Sequence, residues 1–330
     1  MTDTVHFQIP TGQIKFEDTP DHFQHGVLRL LGLNQQAFEF GLATTEEEDG
    51  DSMLERLGRA FRRLSPMGRS ETLHSGDLDP GPGGVPGTLL YTSIADHRDF
   101  GVAQSRDTKL GWLIQPGRDS WQRVTTLPEI DSGGGTVPPA GEPDWRTEKA
   151  RRLVRDLLRV LGNPRCRILE VGRHTDHFRE AVVEAGAAHD GIERSGLAAV
   201  EAGLGTRREQ YDAVTFWDSL QRVPDPSAVL EAAVRCLRPG GVLAVKTPNL
   251  RCPEVRVFGP HYHSFRREHL TYFSVPSLIE CAERAGLATL RISTLSHLLT
   301  GFLGRQVTDD LASGGQGSEI VAHFRRSGVA

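Results

Sequence analysis

Residues 165–193 read RCRILEVGRHTDHFREAVVEAGAAHDGIE, and this stretch decides the fold of the chain. Residues 167–171 are a short apolar run ending beside Gly172, as expected where a buried parallel strand enters a turn. Apolar residues then recur at helical spacing, at Phe178, Ala181, Val182 and Ala185. A glycine predicts the end of that helix, and residues 191–193 predict a second strand that ends in an acid. The stretch is therefore a β-α-β unit.

Five further stretches extend this pattern through the C-terminal half of the chain. They are YDAVTFWD (211–218), VPDP (223–226), LRPGG (237–241), VLAVKTPN (242–249) and EHLTYFS (268–274). In these motifs the chain resembles the class I S-adenosylmethionine-dependent methyltransferases, and it is most similar to the small-molecule and quinone-type enzymes. The resemblance implies an α/β, Rossmann-like fold with a mostly parallel sheet and an antiparallel last strand.

The resemblance also implies a function and a set of site residues. The expected activity is methyl transfer to a small molecule of specialised metabolism, with S-adenosylmethionine as cofactor. Glu193, 21 positions after Gly172 (193 − 172), matches the acid that binds the ribose, and Glu170 matches the acid that orients the glycine turn. Asp218 ends the fourth strand, where it is a candidate for cofactor binding and catalysis. His269 is a candidate catalytic residue that could take a proton from the acceptor.

Each of these residues also has a structural interpretation. Glu193 could be a surface acid, and Glu170 could serve the fold alone. Asp218 could be the N-cap of a helix. For His269 the favoured interpretation is a buried histidine bonded to a backbone carbonyl.

The cofactor turn departs from the family pattern. It reads EVGRHTD over residues 170–176, so His174 and Asp176 stand where the family has glycines. Side chains at these positions fill space that a ligand would need, and an aspartate would repel a methionine carboxylate. The 18 positions from Glu193 to Tyr211 (211 − 193) are also too few for the usual helix, strand and turn. The third strand, an edge strand with part of the adenine wall, is therefore expected to be lost.

These departures leave two other functions open. One is a pseudo-methyltransferase, a scaffold or partner subunit that has lost the cofactor. The other is a repurposed enzyme that uses a metal ion in the same cleft. His174, Asp176 and His177 offer three donor side chains, and His261, His263 and His269 could face the same cleft. Short His/Asp strings arise often by chance, so no metal site is assigned.

The N-terminal part predicts a separate α+β domain over residues 1–130 that caps the cleft. It contains a hairpin at 5–9 and 13–16, an amphipathic helix at 53–64, and strands at 88–94, 111–114 and 121–126. A Gly/Pro-rich linker at 131–144 separates it from the methyltransferase-like domain at 145–330. There we expect a helix at 145–161, an irregular polar segment at 251–267, a helix at 275–285 and an antiparallel last pair of strands.

Composition excludes several classes of protein. The formal net charge is −5, so nothing indicates a nucleic-acid surface. The four cysteines are far apart in sequence, which argues against a disulfide framework or a zinc knuckle. The absence of a signal peptide and of a membrane-spanning apolar run predicts a cytoplasmic protein. A homodimer is the default expectation, and a protein partner is expected if the chain is not catalytic.

Overall fold

The computed structural model describes residues 6–9, 12–15, 78–91, 94, 99–117, 120–126, 145–172, 176–192, 203–295 and 314–327. The strands in chain order are β1 His6–Ile9, β2 Gly12–Lys15, β3 Gly87–Tyr91, β4 Gly101–Ser105, β5 Gly111–Pro116, β6 Trp121–Arg123, β7 Arg167–Val171, β8 Ala188–Ile192, β9 Tyr211–Trp217, β10 Leu237–Pro248, β11 Thr271–Tyr272, β12 Leu287–Leu295 and β13 Glu319–Arg326. The α-helices are α1 Trp145–Leu161, α2 Asp176–Glu184, α3 Pro226–Cys236, α4 Pro253–Phe258 and α5 Val275–Arg284.

The larger sheet has six strands in the order β12-β13-β10-β9-β7-β8. Strands β8, β7, β9 and β10 run parallel, whereas β13 is antiparallel to β10 and β12 is antiparallel to β13. The predicted mostly parallel sheet with an antiparallel end is therefore confirmed. At the other edge β8 is the last strand among the described residues. Residues 193–202 lie outside them, so the expected loss of the third strand stays a prediction.

Helices cover both faces of this sheet because each presents an apolar side. Val154 and Leu157 of α1 are buried against Ile168 and Ala213 of the strands, and α2 packs beside them. The opposite face is covered by α3 and α5. The side chain of Ser274 accepts from the Ser277 N–H in a capping box, so α5 begins where the sequence predicts.

A second sheet joins the two halves of the chain. Strands β3, β4 and β5 form an antiparallel sheet with β6, and β11 pairs with β5 through Thr271 and Trp112. One hydrophobic core unites Val102 and Leu113 of this sheet with residues of the C-terminal half, namely Leu250, Cys252, Val255, Tyr262, Phe265 and Leu270. The boundary at 131–144, which lies outside the described residues, stays a prediction, and the second sheet has strands from both sides of it.

The prediction of an irregular, polar segment at 251–267 is wrong. This segment contains α4, and Cys252, Val255, Tyr262 and Phe265 are buried. Successive members of this set are three, seven and three positions apart, which is a helical spacing. The arginines and histidines between them made the segment look polar in the sequence.

Other expectations have mixed outcomes. The hairpin of β1 and β2 is confirmed, and all four cysteines are buried and free. The predicted helix at 53–64 lies outside the described residues. Among the helices that the structure does describe, none combines the length and the apolar character needed to cross a membrane.

Candidate functional site

The carboxyl ends of β7 and β9 meet at one glycine. Gly172 follows β7 with φ of 131°, and its N–H donates to the Ile192 carbonyl of β8 at 3.0 Å. A Cβ at this position would lie 2.4 Å from the Cβ of Ser219, which follows β9 and donates its hydroxyl to the Val171 carbonyl at 2.6 Å. Only glycine therefore allows the two loops to pack this closely.

Glu170, two positions before this glycine, has a buried side chain that pairs with another buried side chain. Its carboxylate lies 2.9 Å from Nε2 of His189 on β8, and both side chains are buried. This pair ties β7 to β8 immediately below the turn. The contact with His189 supports the structural interpretation of Glu170, in which it holds the end of β7 against β8.

Asp218 is the residue where β9 ends, and it adopts an unusual conformation. Its φ is +54°, a left-handed value that residues other than glycine rarely adopt. Its N–H donates to the Lys246 carbonyl at 3.0 Å, and Nζ of Lys246 donates to both carboxylate oxygens, at 2.7 and 2.6 Å. The Asp218 side chain remains 52% exposed, so a carboxylate is held facing outward at the edge of the sheet.

Asp218 does not cap a helix. The N-cap of α3 is Asp225, whose carboxylate accepts from the N–H groups of Ser227 and Ala228. The short 3-10 turn Leu220–Arg222 follows Asp218 and has Ser219 at its N-cap position, without a side-chain hydrogen bond. The capping interpretation of Asp218 is therefore wrong, and its role in the site stays a prediction.

Lys246 continues into a chain of alternating charges. Its Nζ also lies 2.8 Å from Oε1 of Glu319, at the start of β13, and the same oxygen accepts from Nζ of Lys149 on α1 at 3.2 Å. The order is thus Asp218, Lys246, Glu319, Lys149, and we call these four residues the charge chain. The Lys246 side chain is only 2% exposed, whereas that of Lys149 is 33% exposed.

The two lysines of the charge chain have opposite pKa shifts. Burial alone would lower the pKa of Lys246, but the negative charges of Asp218 and Glu319 raise it above the usual lysine value. Burial and the positive charge of Lys246 lower the pKa of Lys149, although Glu319 partly opposes them. The surroundings therefore favour the charged form of Lys246 and disfavour that of Lys149.

The first turns of α1 and α2 lie side by side next to this edge. The Thr147 hydroxyl lies 3.1 Å from Nδ1 of His177. Asp176 begins α2 and pairs with Arg179 at 3.1 Å, with its side chain 81% exposed. The repulsion expected between Asp176 and a methionine carboxylate is reduced by this ion pair and by solvent.

His269 has the geometry of a structural histidine. It is buried, and its Nδ1 lies 2.8 Å from the Ser264 carbonyl, as the favoured interpretation from the sequence has it. Burial, with a smaller contribution from the nearby Arg222 charge, lowers the pKa of His269 to about 3. His269 lies two residues before β11, and its ring contacts Tyr272 of that strand.

His263 lies closer to the charge chain. Its Nε2 is 2.9 Å from the Ser264 hydroxyl, and the charges of Glu319 and Lys246 both act on the ring. Burial is the main cause that lowers the pKa of His263 to about 4, so this histidine is neutral at pH 7. The structure thus adds a neutral imidazole to the site.

Three of the predicted positions fall outside the part of the chain that the structure describes. Glu193 and His174 lie outside the described residues, as does the side chain of His261. Within the part of the chain that the structure describes, no group of three or more His, Cys, Asp or Glu residues could hold a metal ion.

Lys246, Lys149 and Glu319 are the site residues that sequence reasoning missed. One signal was available for Lys246, because it is the only charge in the apolar run of residues 242–247. A charge in a buried strand requires a partner. The partners themselves come from β9, β13 and α1, and no local pattern connects those segments.

Comparisons with known proteins identify the class of the C-terminal part. Residues 145–292 match the family model described as a methyltransferase domain. Together with the strand order, this confirms the resemblance of these residues to the class I S-adenosylmethionine-dependent methyltransferases.

Individual relatives resemble the chain over part of its length. A ubiquinone biosynthesis O-methyltransferase of Klebsiella pneumoniae subsp. pneumoniae is 28% identical over 121 residues, which cover 37% of this chain and 41% of the relative. The same-named protein of Aeromonas salmonicida is 27% identical over 182 residues, covering 47% and 72%. A crystal structure of a SAM-dependent methyltransferase from Archaeoglobus fulgidus covers 54% of this chain and 94% of its own, with 13% identity and a TM-score of 0.41. The chain thus spans about two fifths of the Klebsiella relative's length.

Proposed function

We propose that this protein is an S-adenosylmethionine-dependent methyltransferase that acts on a small molecule. The observation that carries the proposal is the arrangement at the carboxyl edge of the sheet. There Gly172 packs closely against Ser219, and the preceding residue, Asp218, presents an ion-paired carboxylate outward. In open α/β sheets, ligands bind outside the carboxyl ends of the strands.

The described residues fit the cofactor. Gly172 has the backbone conformation that the first glycine of the cofactor turn requires, and its close contact with Ser219 fixes the position of the loop. Asp176 points to solvent at the start of α2, and Arg179 partly neutralises it. The N-terminus of α2 can therefore face a carboxylate, since the first N–H groups of a helix attract negative charge.

Specific residues would hold the parts of the cofactor. The loop after Gly172 and the first turn of α2 would receive the methionine end, and Glu193 is predicted to bind the ribose hydroxyls. S-adenosylmethionine supplies an electrophilic methyl group carried on a positively charged sulfur. The contribution of the protein is then mainly to position the acceptor atom in line with that group.

Asp218 would act on the acceptor side. Its carboxylate is ion-paired with Lys246, and it can accept a hydrogen bond from a hydroxyl or amine of the acceptor beside the atom that is methylated, which orients the acceptor. A carboxylate acceptor would be repelled at the same place. The proposal therefore includes a preference for acceptors that bring a polar hydrogen to the site.

The match to the methyltransferase family model supports catalysis rather than a scaffold that has lost its cofactor. The metal-using alternative has no support among the described residues, because they contain no group of ligands of sufficient size.

A pair of variants tests the cofactor site. Glu193→Ala should weaken S-adenosylmethionine binding at least tenfold, measured by equilibrium dialysis, while the melting temperature without ligand is unchanged. Glu231→Ala, on the exposed side of α3, is the matched control and should bind like the wild type. Equal affinity in Glu193→Ala and wild type would remove Glu193 from the site, and undetectable binding to wild type would refute the proposed function.

A further inference from the structure

The charge chain contains an unusual concentration of lysine. The chain has 38 basic residues but only four lysines, at positions 15, 109, 149 and 246, so arginine supplies the other 34 (38 − 4). Two of the four lysines meet on a single oxygen of Glu319. Because arginine does not lose its proton in proteins and lysine does, this choice matters where a proton must move.

The two lysines of the charge chain differ in the number and length of their contacts. Lys246 is buried and makes three short contacts, two to Asp218 and one to Glu319. Lys149 makes one longer contact, and it is to an oxygen that Lys246 already uses. Lys246 therefore holds its proton firmly, whereas the amine of Lys149 is less strongly stabilised as a cation and is partly open to solvent.

We propose that Lys149 is the proton acceptor of the methyl transfer, an inference that rests on the proposed function. An oxygen or nitrogen acceptor that enters the site with its proton must lose it. In this step the O–H or N–H bond breaks, and the proton goes to the unshared electron pair of Nζ. The acceptor atom gains the methyl group, and the electrons of the carbon–sulfur bond stay on sulfur. The positive charge is thus moved from sulfur to Lys149, and the total charge is unchanged.

The surroundings of Lys149 set its proton affinity from several elements. Lys246 of β10 opposes its protonation, whereas Glu319 of β13 and Asp218 at the end of β9 favour it. On α2, His177 bonds Thr147, two residues before Lys149. Burial reinforces the effect of Lys246, and the net result is a lowered pKa for Lys149.

The small number of lysines permits a direct test that needs no acceptor. The amines of the folded protein are dimethylated with ¹³C-formaldehyde and titrated by NMR, with a lysine peptide treated in the same way as reference. The Lys149 signal, identified by its loss in Lys149→Arg, should titrate at lower pH than the reference. Titration at or above the reference would overturn the proposal.

Two variants test the cause of the shift. Lys246→Met removes the opposing charge and should raise the pKa of Lys149. Glu319→Gln removes a favourable charge and should lower that pKa further, and it serves if Lys246→Met does not fold. A Lys149 pKa unchanged in the folded variants would show that the charge chain does not control it.

Proximity to the transferred methyl group is tested with the two forms of the cofactor. S-adenosylmethionine carries a positive sulfur and S-adenosylhomocysteine a neutral one, so the first should lower the pKa of Lys149 more than the second. Equal effects would place Lys149 away from the transfer point and overturn the proposal, a result that a purely structural lysine would give. Calorimetry on the same samples separates the two claims, because absent binding refutes the proposed function and with it this inference, whereas binding with equal effects refutes this inference alone.

Discussion

Asp218 and Lys246 are joined by both backbone and side chain: the Asp218 N–H bonds the Lys246 carbonyl at 3.0 Å, and the Lys246 ammonium contacts both carboxylate oxygens at 2.6–2.7 Å. The double connection fixes an outward-facing carboxylate at the point where β9 and β10 end. It also explains how a left-handed aspartate is held in place, because three hydrogen bonds to Lys246 fix its conformation.

Removing the buried cation should be costly. Lys246→Met leaves Glu319 with Lys149 alone and Asp218 without its ion-pair partner. Because Asp218 is 52% exposed and Glu319 keeps one cation, the loss should lie below the roughly 3–5 kcal/mol of a fully buried pair but above that of an exposed pair. Urea unfolding should show the loss. Arg284→Met is the control, because it removes a cation from the exposed ion pair with Glu280 and should cost less than about 1 kcal/mol. Equal losses of unfolding free energy in the two variants would show that Lys246 stabilises the protein no more than an exposed ion pair does.

Gly172 should not tolerate a side chain. Gly172→Ala introduces a Cβ that would lie 2.4 Å from the Cβ of Ser219, in addition to the strain of a positive φ. Gly162→Ala is the matched control, since Gly162 also has a positive φ but no atom within 4 Å of the added Cβ. The control should lose about 1–2 kcal/mol for the backbone alone, and Gly172→Ala should lose clearly more.

A second substitution separates the two causes. Ser219→Gly in the Gly172→Ala background removes the clashing atom and should restore part of the lost stability in thermal melts. A double variant no more stable than Gly172→Ala would mean that the packing of the two loops is not the reason for glycine at 172.

The fold was predictable from local patterns, whereas most of the site was not. Strands β7 and β9 are mainly apolar runs followed by Gly172 and Asp218, and β10 contains the apolar run of residues 242–245. Such runs identify buried parallel strands without knowledge of their neighbours. Asp218 and Gly172 followed from the same patterns, because they mark the strand ends.

The missed features all depend on distant pairing. Lys246 and Asp218 are 28 positions apart, and Lys149 and Glu319 are 170 apart. The pairing of β11 with β5 likewise joins segments that no local period connects. Side chains that meet only through tertiary structure leave no periodic signal, so the charge chain became visible only once the sheet order was known.

The protein should lose stability in mild acid. Burial lowers the pKa of His269 to about 3 and, for the 2% exposed His323 on β13, to about 4, against an ordinary value of 6.5. The unfolded chain therefore binds more protons than the folded one below pH 6.5, so the free energy of unfolding falls as pH falls from 6.5 toward 4. At pH 5 each of these two histidines should cost about 2 kcal/mol relative to pH 7.

Urea unfolding at pH 7 and pH 5 measures this loss. His323→Gln should show a smaller difference between the two pH values than the wild type, because it removes one of the groups that take up a proton on unfolding. A pH dependence identical to that of the wild type would contradict the burial of His323 as an uncharged ring.

Isothermal titration calorimetry of the wild-type protein tests most directly whether the carboxyl edge of the sheet binds S-adenosylmethionine. We expect saturable binding of one S-adenosylmethionine per chain, with a melting temperature that rises with ligand. At 100 times the dissociation constant the ligand should add about 2.7 kcal/mol of stability. No heat and no thermal shift at millimolar S-adenosylmethionine would contradict this expectation.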